Sequence, residues 1–155
     1  MSDARLSSHE AGYHRFRLIG DVHLLLHNPE GQLLFGRRKN TGFADGSYHL
    51  PAGHLDAGES VTEALIREAK EEIGIGIAAG DVEFAHVMHN AAGDGRIAFF
   101  FAVRTWQGEP ENREPDKCSE LRWFPVSRLP EPIVDYCQAA LDAITAGRQF
   151  SLYGW

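Results

Sequence analysis

Three carboxylates, Glu68, Glu71 and Glu72, stand at i, i+3 and i+4, a spacing that gathers them on one face of a helix. The flanking residues call for that helix. Ser60 and Glu63 form a capping box, which predicts a helix starting at Val61, and Gly74 suits the left-handed residue that ends one. Leu65, Ile66, Ala69 and Ile73 supply an apolar arc, while Ala64 falls one turn before the acidic arc and Glu59 in the loop before the helix. Like charges this close repel, so the acidic face is either well solvated or gathered around a cation. Hard oxygen donors suit Mg²⁺ or Mn²⁺, whereas Zn²⁺ would favour His and Cys. Taken alone, the helix is explained as simply by a solvated face on which Arg67 pairs with Glu63 and Glu71.

The wider spacing decides between these readings. Gly53, five residues, Glu59, seven residues and then Arg67-Glu68-Ala69-Lys70-Glu71-Glu72-Ile73-Gly74-Ile75 resembles the Nudix box, G-x5-E-x7-R-E-U-x-E-E-x-G-U, where U is apolar. Seven fixed residues at this spacing arise by chance in fewer than about one chain in a million. Ala69 stands where the family usually has a larger aliphatic residue.

The resemblance implies a hydrolase that cleaves the diphosphate linkage of a nucleoside diphosphate derivative, with Mg²⁺ or Mn²⁺ as cofactor. Carried over residue by residue, Glu68, Glu71 and Glu72 become metal ligands, the Gly53 carbonyl adds an oxygen, and Glu59 supports the site. Arg67 orients a glutamate, and Glu68 is the candidate base. Trp106-Gln107-Gly108-Glu109-Pro110 followed by Glu114 is similar to the segment that supplies another carboxylate in MutT-like enzymes, with Glu120 as the fallback. Gly42 to His49 matches the segment before the box in the oxidised-purine triphosphatases, where the place of His49 contacts the base; a His there is a departure, so base identity does not transfer. Asp135 falls in the region that also reads the base in those enzymes. Markers of ADP-ribose, diadenosine polyphosphate and coenzyme A hydrolases are missing, which leaves a MutT-like nucleoside triphosphate pyrophosphohydrolase as the expected activity. The alternatives are a nucleotide-sugar or dinucleotide pyrophosphatase, or a nucleotide-sensing module without catalysis.

The elements that must position these residues follow from patterning. Val22, Leu24 and Leu26 begin a strand, Asn28-Pro29-Glu30-Gly31 is a turn, and Gln32 to Phe35 completes an expected hairpin with His23 and His27 exposed. Arg37 to Ser47 reads as a polar loop whose cations suit a solvated strand end or a substrate phosphate; Lys39 and Phe43 are carried as candidate substrate contacts. Strands are expected at Val82 to His89, at Arg96 to Trp106 (apolar and central) and at Leu121 to Phe124. Pro130 and Pro132 precede a second helix with Ile133, Cys137, Ala140, Leu141 and Ile144 as its stripe, ending at Gly147. Strands interleaved with two helices give an α/β/α sandwich around a mixed β-sheet.

A chain of 155 residues fits a single domain, with residues 1–14 as a loosely attached lead-in. The formal net charge of -7 argues against nonspecific nucleic-acid binding, which cationic side chains drive. A small nucleotide brought in with metal ions is the expected partner. Cys118 and Cys137 lack any metal-ligand spacing and read as reduced thiols, and no run is apolar enough to span a bilayer. A cytoplasmic monomer or homodimer is expected.

Overall fold

The computed structural model describes residues 15–155, so the expected lead-in at 1–14 lies outside the described residues. In β1 (Ile19–Leu26), every residue from Val22 to Leu26 is buried. A strand buried on both faces needs a packed layer on each and its backbone groups paired on both edges, and β1 takes β4 (Ala52–His54) antiparallel and β6 (Arg96–Val103) parallel. β5 (Glu83–Asn90) pairs with β6 antiparallel and β8 (Phe150–Tyr153) joins β5 in parallel, giving the order β4-β1-β6-β5-β8. A second sheet, β3-β2-β7, is formed by β2 (Gln32–Arg38), β3 (Tyr48–His49) and β7 (Cys118–Pro125).

Helix α1 (Val61–Ile73) and helix α2 (Asp135–Thr145) cover opposite faces of the larger sheet. Because side chains alternate along a strand, β1 and β6 feed two cores. Val22, Leu24, Leu26, Phe101 and Val103 pack with Ala64, Leu65, Ala69 and Ile73 of α1. Leu25, Ala98 and Phe100 pack with Cys137, Ala140 and Leu141 of α2 and with Leu33 and Phe35 of the second sheet. This is the expected α/β sandwich around a mixed sheet. Ser60 and Glu63 form the capping box, and Gly74 ends α1 at φ 73°. No helix among the described residues is long and apolar enough to cross a membrane.

Several local expectations are corrected. β1 and β2 are not a hairpin: their turn joins two different sheets, and His27 with Leu33 forms a single bridge. Both edges of β1 are already taken, which leaves β2 to pair with β3 and β7. His23 is buried at 1% exposure rather than solvated, because its alternation places it on the α2 face. On α1, Ala64 is fully buried and Ile66 only half-buried, so the apolar arc is rotated from the expected one. Glu63 serves the capping box and does not pair with Arg67. β7 is longer than its apolar run, and β8 was hidden by its brevity.

The topology fixes how stability is distributed. Phe100 is fully buried on central β6, whereas Phe150 on edge strand β8 is more than half exposed. Urea unfolding is expected to show Phe100→Ala losing about 3–5 kcal/mol and Phe150→Ala shifting stability by less than about 0.5 kcal/mol.

Candidate functional site

Arg67 gathers the carboxylates of α1 and of the loop before it. Its Nε and Nη2 donate to the two oxygens of Glu59 at 3.0 and 2.7 Å. Nη1 donates to Glu68 at 2.8 Å and to Glu71 at 3.2 Å, and Nη2 also reaches the His54 carbonyl at 3.0 Å. A planar guanidinium suits this task because it offers several donors in a fixed fork. The hydrogen bonds from Arg67 hold the Glu59 carboxyl down at about 2. Arg67 itself is held firmly in its charged form, chiefly by Glu59.

One turn on from Glu68 and on the same face, Glu72 lies outside the Arg67 fork. Its carboxylate accepts from the Ala52 backbone N–H on β4 at 3.2 Å. Burial first, and then the charges of Glu68 and Glu114, push the Glu72 carboxyl up to about 9. Burial also raises Glu68, outweighing the opposite pull of Arg67. Glu114 is brought close by a loop docked on the end of α1: the N–H groups of Glu111 and Arg113 donate to the Ile73 and Glu72 carbonyls at 2.9 and 3.0 Å. These bonds satisfy carbonyls that a helix end leaves open. Gly53 permits the closest approach, since a Cβ there would fall inside the Glu68 carboxylate.

Gly53, Glu72 and Glu114 line one side of a cleft of about 710 Å³. Phe43, His49, Tyr136 and His23 also line it. His49 and His23 are buried, and Tyr136 of α2 bridges them, with its hydroxyl 2.6 Å from His49 Nε2 and 3.0 Å from His23 Nε2. Phe43 is 55% exposed, with the Arg38 guanidinium 5.3 Å from its ring centre. Asp21 also faces the cleft and binds His54 Nδ1 at 2.6 Å and Arg96 Nη1 at 3.1 Å.

The structure therefore sets Gly53, Glu59, Arg67, Glu68, Glu71, Glu72 and Glu114 along α1, from the loop before it to the loop docked on its C-terminal end, and Gly53, Glu72 and Glu114 share the cleft lining with Phe43 and His49. It does not bring Lys39 or Asp135 to the cleft wall. Lys39 reaches the Pro115 carbonyl at 3.4 Å, and Asp135 is exposed at the start of α2. Arg38, Lys117 and Tyr136 line the cleft in those neighbourhoods. Glu120 is bonded to the Tyr48 hydroxyl on the second sheet. His23 and Tyr136 were missed, and the signal for His23 was a polar residue within an otherwise apolar strand.

The NUDIX domain family profile matches residues 17–141. The chain belongs to the Nudix family. Over 92 residues, 58% of this chain and 65% of the relative, it is 38% identical to an 8-oxo-dGTP diphosphatase of Haemophilus influenzae. Over 121 residues, 78% of this chain and 41% of the relative, it is 26% identical to the NAD-capped RNA hydrolase NudC of Pseudomonas aeruginosa. Its fold is similar to that of a MutT Nudix hydrolase from Burkholderia pseudomallei, with a TM-score of 0.73, 28% identity and coverage of 81% of this chain and 97% of that one. The chain spans 22% to 41% of the length of several other curated relatives and NudC.

Nudix hydrolases are in general dependent on divalent metals. Among the described residues no group of three or more His, Cys, Asp or Glu side chains is arranged so as to hold a metal ion. The donors nevertheless fit a hard divalent cation in kind. They are all oxygen, and Glu68 and Glu72 lie within hydrogen-bonding reach of each other, where burial and mutual charge raise the affinity of both for a positive partner.

Two outcomes are expected of this Nudix site. Glu72→Gln removes a buried acid crowded by two others, so in metal-free buffer its melting temperature rises above wild type. If Glu72 is a ligand of the divalent ion that Nudix hydrolases in general require, millimolar Mg²⁺ is expected to stabilise wild type and the variant to lose most of that increment; thermal unfolding with and without Mg²⁺ reads both. The second outcome concerns pH. Burial lowers His49 to about 4 from 6.5. Above pH 6.5 both folded and unfolded chains carry it neutral and its contribution is complete. As pH falls from 6.5 towards 4, the unfolded chain alone takes up the proton, so stability is lost. Between pH 7 and pH 5, urea unfolding is expected to give a loss for wild type that exceeds that of His49→Gln by about 2 kcal/mol.

Proposed function

We propose that this Nudix domain is a Mg²⁺- or Mn²⁺-dependent hydrolase of nucleotide diphosphate linkages, acting on small nucleotides of the cytoplasm as a nucleoside triphosphate pyrophosphohydrolase. The observation that supports it most is the contact of the Gly53 backbone with Glu68, with Gly53, Glu72 and Glu114 in the wall of a cleft that also carries the aromatic rings of Phe43, His49 and Tyr136. That juxtaposition suits a molecule with a phosphate chain at one end and a flat ring at the other. The 38% identity to an 8-oxo-dGTP diphosphatase supports the triphosphate reading.

In this reading Glu68, Glu71, Glu72, Glu114 and the Gly53 carbonyl hold the divalent ion, with Glu59 supporting them through Arg67. The bound ion polarises phosphoryl oxygens and screens charge on the leaving group. Arg67 acts on no substrate atom; its fork orients Glu68 and Glu71. Glu68 accepts the proton of the attacking water, a role that its raised affinity for protons favours. Attack at phosphorus breaks one P–O–P bond and yields a nucleoside monophosphate and pyrophosphate. Phe43 and His49 contact the base. The docked 104–117 loop holds Glu114 opposite the helix.

The test is a panel of nucleoside triphosphates, nucleotide sugars and dinucleotides, incubated with Mg²⁺ or Mn²⁺ and read by product chromatography. Turnover of triphosphates to monophosphate and pyrophosphate is expected, and turnover of none of the panel would refute the proposal. Glu68→Gln is expected to keep the melting temperature of the folded protein within a few degrees while lowering kcat by at least about 10²-fold. A wild-type kcat in that variant would remove Glu68 from the reaction.

A further inference from the structure

Glu114 reaches the cleft wall from a loop that is anchored on both sides of it. Before Glu114, the N–H groups of Glu111 and Arg113 are tied to the end of α1. After it, the Lys117 carbonyl accepts from the Lys39 N–H at 2.9 Å, while the Asp116 and Pro115 carbonyls accept from the side chains of Asn40 at 3.2 Å and Lys39 at 3.4 Å. Between these anchors the chain turns: the Glu114 carbonyl accepts from the N–H groups of Lys117 and Cys118, both at 2.9 Å.

Asn112 closes that turn. Its Oδ1 accepts from the Glu114 N–H at 3.1 Å, and its Nδ2 donates to the Cys118 carbonyl at 2.6 Å. A backbone N–H only donates and a carbonyl only accepts, so the two bonds fix which end of the amide faces which. The first sets the backbone of Glu114 itself, and the second spans the turn to the first residue of β7. Asn112, Glu114 and Cys118 are half-buried, and all three line the cleft with Glu72. The Glu114 charge helps to raise the buried Glu72 carboxyl. Like charges repel, so the approach of Glu114 to Glu72 has to be held by the loop.

We propose that Asn112 is a positioning residue for the divalent ion: its amide holds Glu114 beside Glu72 and contributes to ion affinity through Glu114 alone. This inference rests on the reading of Glu114 as an ion ligand. It makes a claim about coupling. If Asn112 acts only by placing the Glu114 carboxylate, its removal costs nothing further once that carboxylate is gone. An amide that bound the ion itself, or that merely stiffened the loop, would show the same effect in either background.

The experiment is a double-mutant cycle on Mn²⁺ binding, read by electron paramagnetic resonance on the whole chain without nucleotide, so that no result depends on turnover. Asn112→Ala is expected to weaken Mn²⁺ binding about tenfold, the scale of losing a partner that orients a ligand. Glu114→Gln is expected to weaken it at least as much. In the Glu114→Gln background, Asn112→Ala is expected to change the dissociation constant by less than about twofold. A serine hydroxyl still accepts from the N–H two residues on but is too short to span to Cys118, so Asn112→Ser is expected to lose less than the alanine variant. The serine variant takes its place in the cycle if Asn112→Ala does not fold. Unchanged Mn²⁺ affinity in Asn112→Ala, or a loss that persists in full beside Glu114→Gln, would overturn the inference. A wild-type chain that binds no Mn²⁺ would overturn the ion site and this inference with it. Binding that is lost in Glu68→Gln but kept in Asn112→Ala would overturn this inference alone.

Discussion

The Arg67 fork is the interaction on which the site depends. It ties a loop residue, Glu59, to two helix residues, Glu68 and Glu71, and to the carbonyl of His54, the last residue of β4. Without a cation there, α1 would carry its glutamates as mutually repelling charges, and the loop from Leu55 to Ser60 would have no fixed course to the helix. The fork keeps the acidic face assembled in the absence of metal. Glu72 lies outside its reach, and there burial and the neighbouring Glu68 and Glu114 raise the affinity of the carboxyl for a proton. One face of one helix thus contains two solutions to the same repulsion.

The rest of the fold serves to set that face against a ring-shaped space. β1 and β4 pair at Asp21 with His54 and at His23 with Ala52, so the strands that carry Gly53 to α1 also carry His23 and Asp21 into the cleft. α2 lies on the opposite face of the sheet and sends Tyr136 to the same cleft. The helix that carries the carboxylates and the helix that closes the aromatic end never touch the same face of the sheet. The cleft is where their work meets, around the edge formed by β4.

How much of this was legible in the sequence depends on whether the controlling interaction is local. The capping box, the Gly74 terminus and the α1 carboxylates lie within about four turns of helix, so spacing alone located them, and with them the family and the sandwich fold. The partner of β2 was not legible, because a turn at Asn28 to Gly31 looks the same whether it closes a hairpin or passes between sheets. His23 looked like a solvent-facing residue because alternation gives parity but not which face is covered. Tyr136 stood next to the singled-out Asp135; a helix places adjacent residues 100° apart, and only the docking of α2 decides which of them meets the cleft. The Glu114 loop was visible as a candidate, but its backbone bonds to the end of α1 are long-range and leave no local trace.

The account turns on the carboxylates of α1 binding a divalent ion at the edge of this cleft. Mn²⁺ titration followed by electron paramagnetic resonance measures that directly, since free and bound Mn²⁺ give separable signals. Saturable binding by the wild-type protein, weakened at least about tenfold in Glu72→Gln and in Glu68→Gln while both remain folded, is the result the account predicts. Equal Mn²⁺ affinity in wild type and both variants would contradict it.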